Sequence, residues 1–593
     1  MKSQETKYRP TPVQRTGSTI FNLGRSLLVS LLVAVTATLT GQENSNFFKA
    51  AGTPANTKVS ISWNRYNTYD GIMDICQRLT KAYPDLIKME SAGKSFQGRD
   101  IIVLTVTNFN NGKPENKPGY YIDGNIHSNE IQGTEMALYA AWYLTEMFDE
   151  NDFIRELMDD RVFYILPTIN PDAREDYIHN PNTASSPRSG LAPRDDDRDG
   201  LFDEDGFEDI NGDGSITTMR RKNPNGRYRT DPADPRQMIP VQEGEQGEYD
   251  ILGMEGIDND GDGLVNEDRQ GSYDPNRDWG YSWQPNYIQG GADKYPFTFP
   301  ENRSVRDFAL NHPNIAGVQS YHNSGGMILR GPSMEGGGSE VYTREDDNVL
   351  NTIGKVGEKL IPGYRLLVIW KDLYTVYGGE LDWWYGATGA YTYSNELWAG
   401  FLMFNDPQNN NRNEFEKLLL HGDTFTPWKE FDHPVYGKVE IGGYKKNFGR
   451  IHPGFLLESD AHRNTAFALY HASQLPKLAV RDIEIKNLGG GLNEVTATVT
   501  NSRITPTHSG QNLKYRIDPP NYISIEGGEV ITGMIVEDRW MNVTEEQKRN
   551  PATIEADNIP GNSEVTVRWI VKGGNKYTVK VKSVKGGVAE LTK

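Results

Sequence analysis

Apolar positions from residue 59 to about 474 follow two alternating rhythms. The stretch GIMDICQRLTKAYPDL (71–86) reads as an amphipathic helix ended by Pro84. Met136, Ala140, Tyr143 and Met147 recur at helical spacing behind Glu130, and NVLNTIGKVGEKLIPG (348–363) is a further helix that ends in Pro-Gly. Between these lie short, nearly all-apolar runs: DIIVLTVTN, GYYIDG, RVFYILPTIN, IAGVQSYH, YRLLVIW and AYTYSNELW. They predict buried strands. Strands alternating with helices predict an α/β domain over residues 58–475, with a mixed, largely parallel central sheet flanked by helices. Such sheets bind ligands beyond the carboxyl ends of their strands, and His127 and His322 each follow a strand.

The rhythm changes near Pro476. EVTATVTN, LKYRIDPP, VTVRWIVKGG and KYTVKVKSV alternate polar and apolar residues between Gly- and Pro-rich turns. They predict an all-β, Ig-like sandwich over 477–593. Residues 190–275 are dense in Asp and Gly and short of apolar periodicity, which predicts a large loop insertion rather than a core of its own.

The N-terminus carries basic residues up to Arg25 and then SLLVSLLVAVTATLTG, an apolar run too short for a comfortable membrane span. This predicts a cleavable signal peptide over residues 1–41 and a secreted or periplasmic protein with no membrane span in the mature chain. The whole chain has 593 residues and a net charge of −19, so nucleic acid is excluded as a partner. With Cys76 as the single cysteine, stability cannot come from an internal disulfide.

Chemistry concentrates first in GNIHSNEIQG (124–133), which puts His127 three residues before Glu130. On its own the pair reads better as a capped helix start than as two metal ligands. A catalytic zinc takes three protein ligands and leaves a position open, and His322 in SYHNSGG is the distant strand-end residue that suits the third.

Several ordered blocks make residues 60–470 resemble the zinc metallocarboxypeptidases of the carboxypeptidase A type. They are RYNTYDGIMDICQRLTKAYPDLIKMESAGKSFQGRDI, HSNE, INPD, MRRKN, YDPNRDW, SYHNS, GGELDWWY and YSNELW. The resemblance implies one zinc held by His127, Glu130 and His322. It implies Glu396 as the base that activates water, and Arg221 as the arginine facing the scissile carbonyl, with the adjacent Arg220 as its rival. Asn276 and Arg277 are implied to grip a terminal carboxylate, Asp274 to orient a zinc histidine, and Tyr385 to cap the substrate. The residue types suit these roles, since a planar guanidinium makes paired charge-assisted bonds to a carboxylate, and a free carboxylate accepts a proton from water. The chain departs from the pattern at Asn129, where many digestive relatives carry arginine, and at the Asn-Ser that follows His322.

The insertion repeats one grammar three times: Asp195, Asp197, Asp199 and Asp203; Asp209, Asn211 and Asp213; Asp258, Asp260 and Asp262, each with a glycine beside the last acids. Alternating oxygens followed by Gly form the first half of an EF-hand-like calcium loop, but the twelfth positions are Gly206, Arg220 and Arg269 rather than Glu. This predicts structural calcium in loops of an unclosed or shared kind.

Together these features predict a secreted zinc metallocarboxypeptidase that hydrolyses the C-terminal peptide bond of peptides or proteins. Two alternatives are an amidase or deacylase on the same scaffold and a non-catalytic peptide-binding module.

Overall fold

A computed structural model describes residues 49–184, 188–196, 198–337, 342–398 and 412–593; the predicted signal peptide and Asp197 lie outside them. Residues 54–593 form a single unit. Its central sheet has eight strands: β1 (Ile87–Lys94), β2 (Asp100–Val106), β3 (Gly119–Asp123), β4 (Val162–Leu166), β5 (Ile315–Asn323), β6 (Met327–Arg330), β7 (Arg365–Val368) and β8 (Tyr391–Leu397). Their order is β1-β2-β4-β3-β5-β8-β6-β7. The centre is parallel, β4 to β3 to β5 to β8, and antiparallel pairs lie at β1–β2, β2–β4 and β6–β8. The sheet is therefore mixed with a parallel middle, as the strand–helix alternation predicts.

Both faces are covered, which explains the unbroken apolar runs. Along β2, Ile102, Leu104 and Val106 face one cluster with Tyr120 and Ile122. Ile101 and Val103 face the other with Tyr121 and Trp384. Helix α1 (Tyr69–Ala82) starts at Thr68, whose side chain accepts from the Gly71 amide, and buries Ile72, Ile75, Cys76 and Leu79. Helix α2 (Gln132–Met147) is buried along its whole length. That explains why its apolar residues form no single stripe. Helix α3 (Pro300–Asn311) packs on the opposite face through Val305, Phe308 and Ala309. Helix α4 (Arg344–Leu360) begins with a capping box between Thr343 and Asp346. Helices α5 (Glu380–Thr388) and α6 (Gly454–Ser473) complete the layers. No helix among the described residues is long and apolar enough to cross a membrane.

The insertion is more than a loop. Strands at Thr218–Lys222, Tyr228–Thr230, Met238–Pro240 and Tyr249–Met254 join Phe425–His433 and Gly437–Tyr444 in a six-stranded sheet. Its small core holds Met219, Val439 and Ile441. These strands are only three to nine residues long, and their partners lie far along the chain, so no local apolar rhythm announces them.

From Leu478 onward, an antiparallel five-stranded and a four-stranded sheet pack around Val495, Val499, Trp569, Ile523, Val579 and Val581. LKYRIDPP is a correction: Gly510–Tyr515 is a helix, capped by the Ser509 hydroxyl on the Asn512 amide, and the next strand begins only at Asn521. A local side-chain cap outweighs the strand-like composition here.

Candidate metal centre and cleft

The turn after β3 explains why GNIHSNEIQG is spelled as it is. A Cβ on Gly124 would sit 2.5 Å from the Gly133 backbone, so only glycine lets the turn lie against the start of α2. Asn125 has a left-handed backbone, φ 61°, and its amide donates to the His127 and Ser128 carbonyls. Arg174, fully buried, binds the Ile131 carbonyl, Asn125, Thr134 and Glu135 from beneath. The turn is thus held by polar bonds on every side.

It presents His127 and Glu130 to His322 on β5. Nδ1 of His127 lies 3.0 Å from Glu130 Oε2 and 3.1 Å from Nδ1 of His322, and His322 Nδ1 is 3.0 Å from the same oxygen. All three residues are buried. A tetrahedral zinc with bonds of about 2.0–2.2 Å separates its ligand atoms by about 3.3 Å, which these spacings match closely. Two imidazoles and a carboxylate sharing one small volume also suit a cation better than each other, so the residues fit the metal.

Second contacts orient the set. Asp274 takes His127 Nε2 at 2.9 Å. Burial opposes ionisation of Asp274, but the charges of His127, Arg277 and Arg188 hold it well below the usual carboxylate range. The second oxygen of Glu130 accepts from Arg188 at 2.9 Å and Arg450 at 3.3 Å. Burial works against its charge too, and His127 and Arg188 keep it ionised.

Glu396 on β8 is paired in register with His322. Burial, followed by the charge of Glu130, pushes its carboxyl up to about 7, the range in which a general base works best. Glu396 and His322 line one cavity with His127, Arg188, Asn276 and Arg277. Asn276 sits 3.4 Å from His322 Nε2, and its side-chain oxygen accepts from the Glu380 amide. Arg277 is tied to the Asn276 carbonyl at 2.7 Å and stands 3.8 Å from Asp274. The walls of the cavity include Leu329, Ile369 and Leu381.

Two of the residues singled out in the sequence do not line this cavity. Arg221 is exposed on the six-stranded sheet. Its neighbour Arg220 binds Glu440 at 2.6 Å and stacks on Tyr249 and Trp428. Neither lines the cavity; the arginine that does so beside Arg277 is Arg188, in SSPRSG, a segment with no periodicity to mark it. Tyr385 is fully buried, stacked on Tyr342 at 4.1 Å, and donates to Asp346. The tyrosine that lines the cavity is Tyr374, 59% exposed and four residues ahead of Gly378. YTVYGGELDWWY holds three tyrosines, and the double glycine between them could have directed attention to the first.

The Asp loops come together in part. One oxygen each from Asp199, Glu204 and Asp260 lies within 4.8 Å of the others, and so do those of Asp205, Asp258 and Asp260, and of Asp260, Asp262 and Glu267. Asp195 and Asp203 belong to no such group of acids among the described residues, nor do Asp209 and Asp213. Asp209 and Asp213 instead accept from amides of their own loop.

A family model described as zinc carboxypeptidase matches residues 72–419, and a model of a domain of unknown function matches 477–593. A zinc carboxypeptidase of Saccharothrix mutabilis subsp. capreolus is 33% identical over 110 residues, 18% of this chain and 25% of the relative. The catalytic chain of carboxypeptidase N from Rattus norvegicus is 30% identical over 122 residues, 20% of this chain and 27% of the relative. The chain thus spans about a quarter of the length of the curated relatives it matches. The solved carboxypeptidase A of Helicoverpa armigera covers 72% of this chain and 76% of its own at 17% identity and a TM-score of 0.42.

Proposed function

The chain belongs to the zinc carboxypeptidase family, and from that premise we propose that it removes C-terminal residues from peptides or proteins with one catalytic zinc at His127, Glu130 and His322. The observation that carries this reading is the cavity lined by His127, His322, Glu396 and the Asn276–Arg277 pair, with Glu130 grouped behind it with the two histidines. When bound, zinc polarises a scissile carbonyl and acidifies water. Arg277 and Asn276 hold the substrate's terminal carboxylate, Arg277 as a paired charge-assisted donor. Glu396 takes the proton of the attacking water and passes it to the leaving amine. Arg188, at the rim of the cavity, takes the role of stabilising the negative charge that develops on the carbonyl oxygen, in place of Arg221. Tyr374 replaces Tyr385 as the residue that closes over the substrate. Asp274 fixes the His127 tautomer.

The Asn276–Arg277 pair favours a carboxypeptidase over an amidase, and Glu396 favours an enzyme over a peptide-binding module. The test is turnover of one peptide as free acid and as C-terminal amide, with metal content measured in parallel. The reading expects cleavage of the acid only, with one zinc per chain.

Around this centre we assign a signal peptide to residues 1–41, a catalytic domain to 58–475 and a sandwich domain to 477–593, in a secreted or periplasmic protein. Calcium in the Asp-rich loops would act structurally: two of the three acidic groups draw on both loop stretches, so a cation there would join the ends of the insertion.

A further inference from the structure

We propose that the cavity built by the Asp-rich insertion receives the part of a substrate upstream of the scissile bond and favours basic side chains there. The proposal rests on the carboxypeptidase reading and extends the same site.

The cavity is about 600 Å³, within the range of ligand-binding clefts. It meets the catalytic cavity at Arg188, which lines both. A peptide held at its carboxylate by Arg277 and cut beside Glu396 has to leave the catalytic cavity in some direction, and the shared Arg188 marks an open one. Phe207, partly exposed, offers apolar surface along the way.

The charge of the walls sets the preference. Asp203, Glu204 and Glu208 line the cavity. The arginines there are engaged: Arg188 with Glu130 and Asp274, and Arg269 over the Phe207 ring at 5.5 Å. Arg269 keeps its charge over the ring, but Asp203, Glu204 and Glu208 outnumber it, so the field left for a ligand is negative and suits a lysine or arginine side chain.

The test compares three substrates that end in the same dipeptide: the N-blocked dipeptide, a hexapeptide with upstream lysines, and one with upstream glutamates. The native protein should show kcat/KM on the lysine peptide at least ~10-fold above that on the glutamate peptide. Glu208→Lys, at the exposed rim and outside the acidic groups, should shrink that ratio to about 3-fold or less and leave the blocked dipeptide unaltered. Phe207→Ala should lower kcat/KM for both hexapeptides and not for the dipeptide. A ratio near one in the native protein, or an unaltered ratio in Glu208→Lys, overturns the proposal. Failure of the native protein on every substrate, the dipeptide included, overturns the carboxypeptidase reading and this extension with it.

Discussion

His322 and Glu396 stand side by side as register partners on the parallel strands β5 and β8. A proposed metal ligand and a carboxylate are thus fixed relative to each other by backbone hydrogen bonds. Glu396→Gln keeps the shape and removes the basicity. Turnover should fall at least ~10²-fold while zinc content stays at the native level. Near-normal turnover removes Glu396 from the role of base.

His322→Ala deletes one corner of the ligand triangle and leaves His127 and Glu130, too few for a tight zinc site. Metal analysis after dialysis should show zinc loss, with the far-ultraviolet circular dichroism unchanged. Full zinc retention would assign the third ligand elsewhere.

Arg277→Ala should cost roughly 2–5 kcal/mol of binding to a free carboxylate, the usual cost of breaking a buried charge pair. That is about 30- to 3,000-fold in kcat/KM on free-acid peptides. Amidated peptides, poor substrates from the start, should lose little more. Equal losses on both would mean that Arg277 supports the fold and reads no carboxylate.

Arg188→Ala and Arg221→Ala separate the two arginines. Removing a donor to a developing oxyanion costs about 10²–10³-fold in kcat. Arg188→Ala should show a loss of that size and Arg221→Ala nearly none, because Arg221 is exposed on the other sheet. The reverse result restores the assignment drawn from MRRKN.

The insertion should respond to pH and calcium together. Burial pushes Glu255 up to about 7, with Asp213 and Asp209 adding to it. Glu204 and Glu267 also rise to about 7, through desolvation and the nearby Asp268 and Asp205. A carboxyl whose pKa is higher in the folded than in the unfolded state binds more protons when folded between the two values. Without calcium, stability should therefore fall as pH rises from about 4.5 to 7. Proteolysis within 190–275 in calcium-free buffer should quicken over that window, and added calcium should suppress it. Digestion indifferent to both would mean that the loops are solvated acids only.

What could be read in the chain and what could not divide along physical lines. Strands such as DIIVLTV and helix α1 announce themselves because burial imposes a repeat on neighbouring residues. His127, Glu130 and His322 stand out through residue type and spacing near strand ends, whereas Glu396 is marked only by the family resemblance of YSNELW. Arg188 and Tyr374 reach the cavity from irregular segments, where nothing local records what the side chain will meet. The strands of 218–254 stayed hidden because their partners, Phe425–His433 and Gly437–Tyr444, are supplied by a remote part of the chain.

That remote pairing has a consequence for synthesis. His322 emerges from the ribosome 195 residues after His127. Glu396 follows later still, and the strand that pairs with Thr218–Lys222 ends only at Tyr444. Contacts of such long separation form slowly and only once both partners exist. No nascent fragment short of Glu396 carries every residue of the proposed site, so on the proposed reading hydrolysis waits until most of the chain has been made.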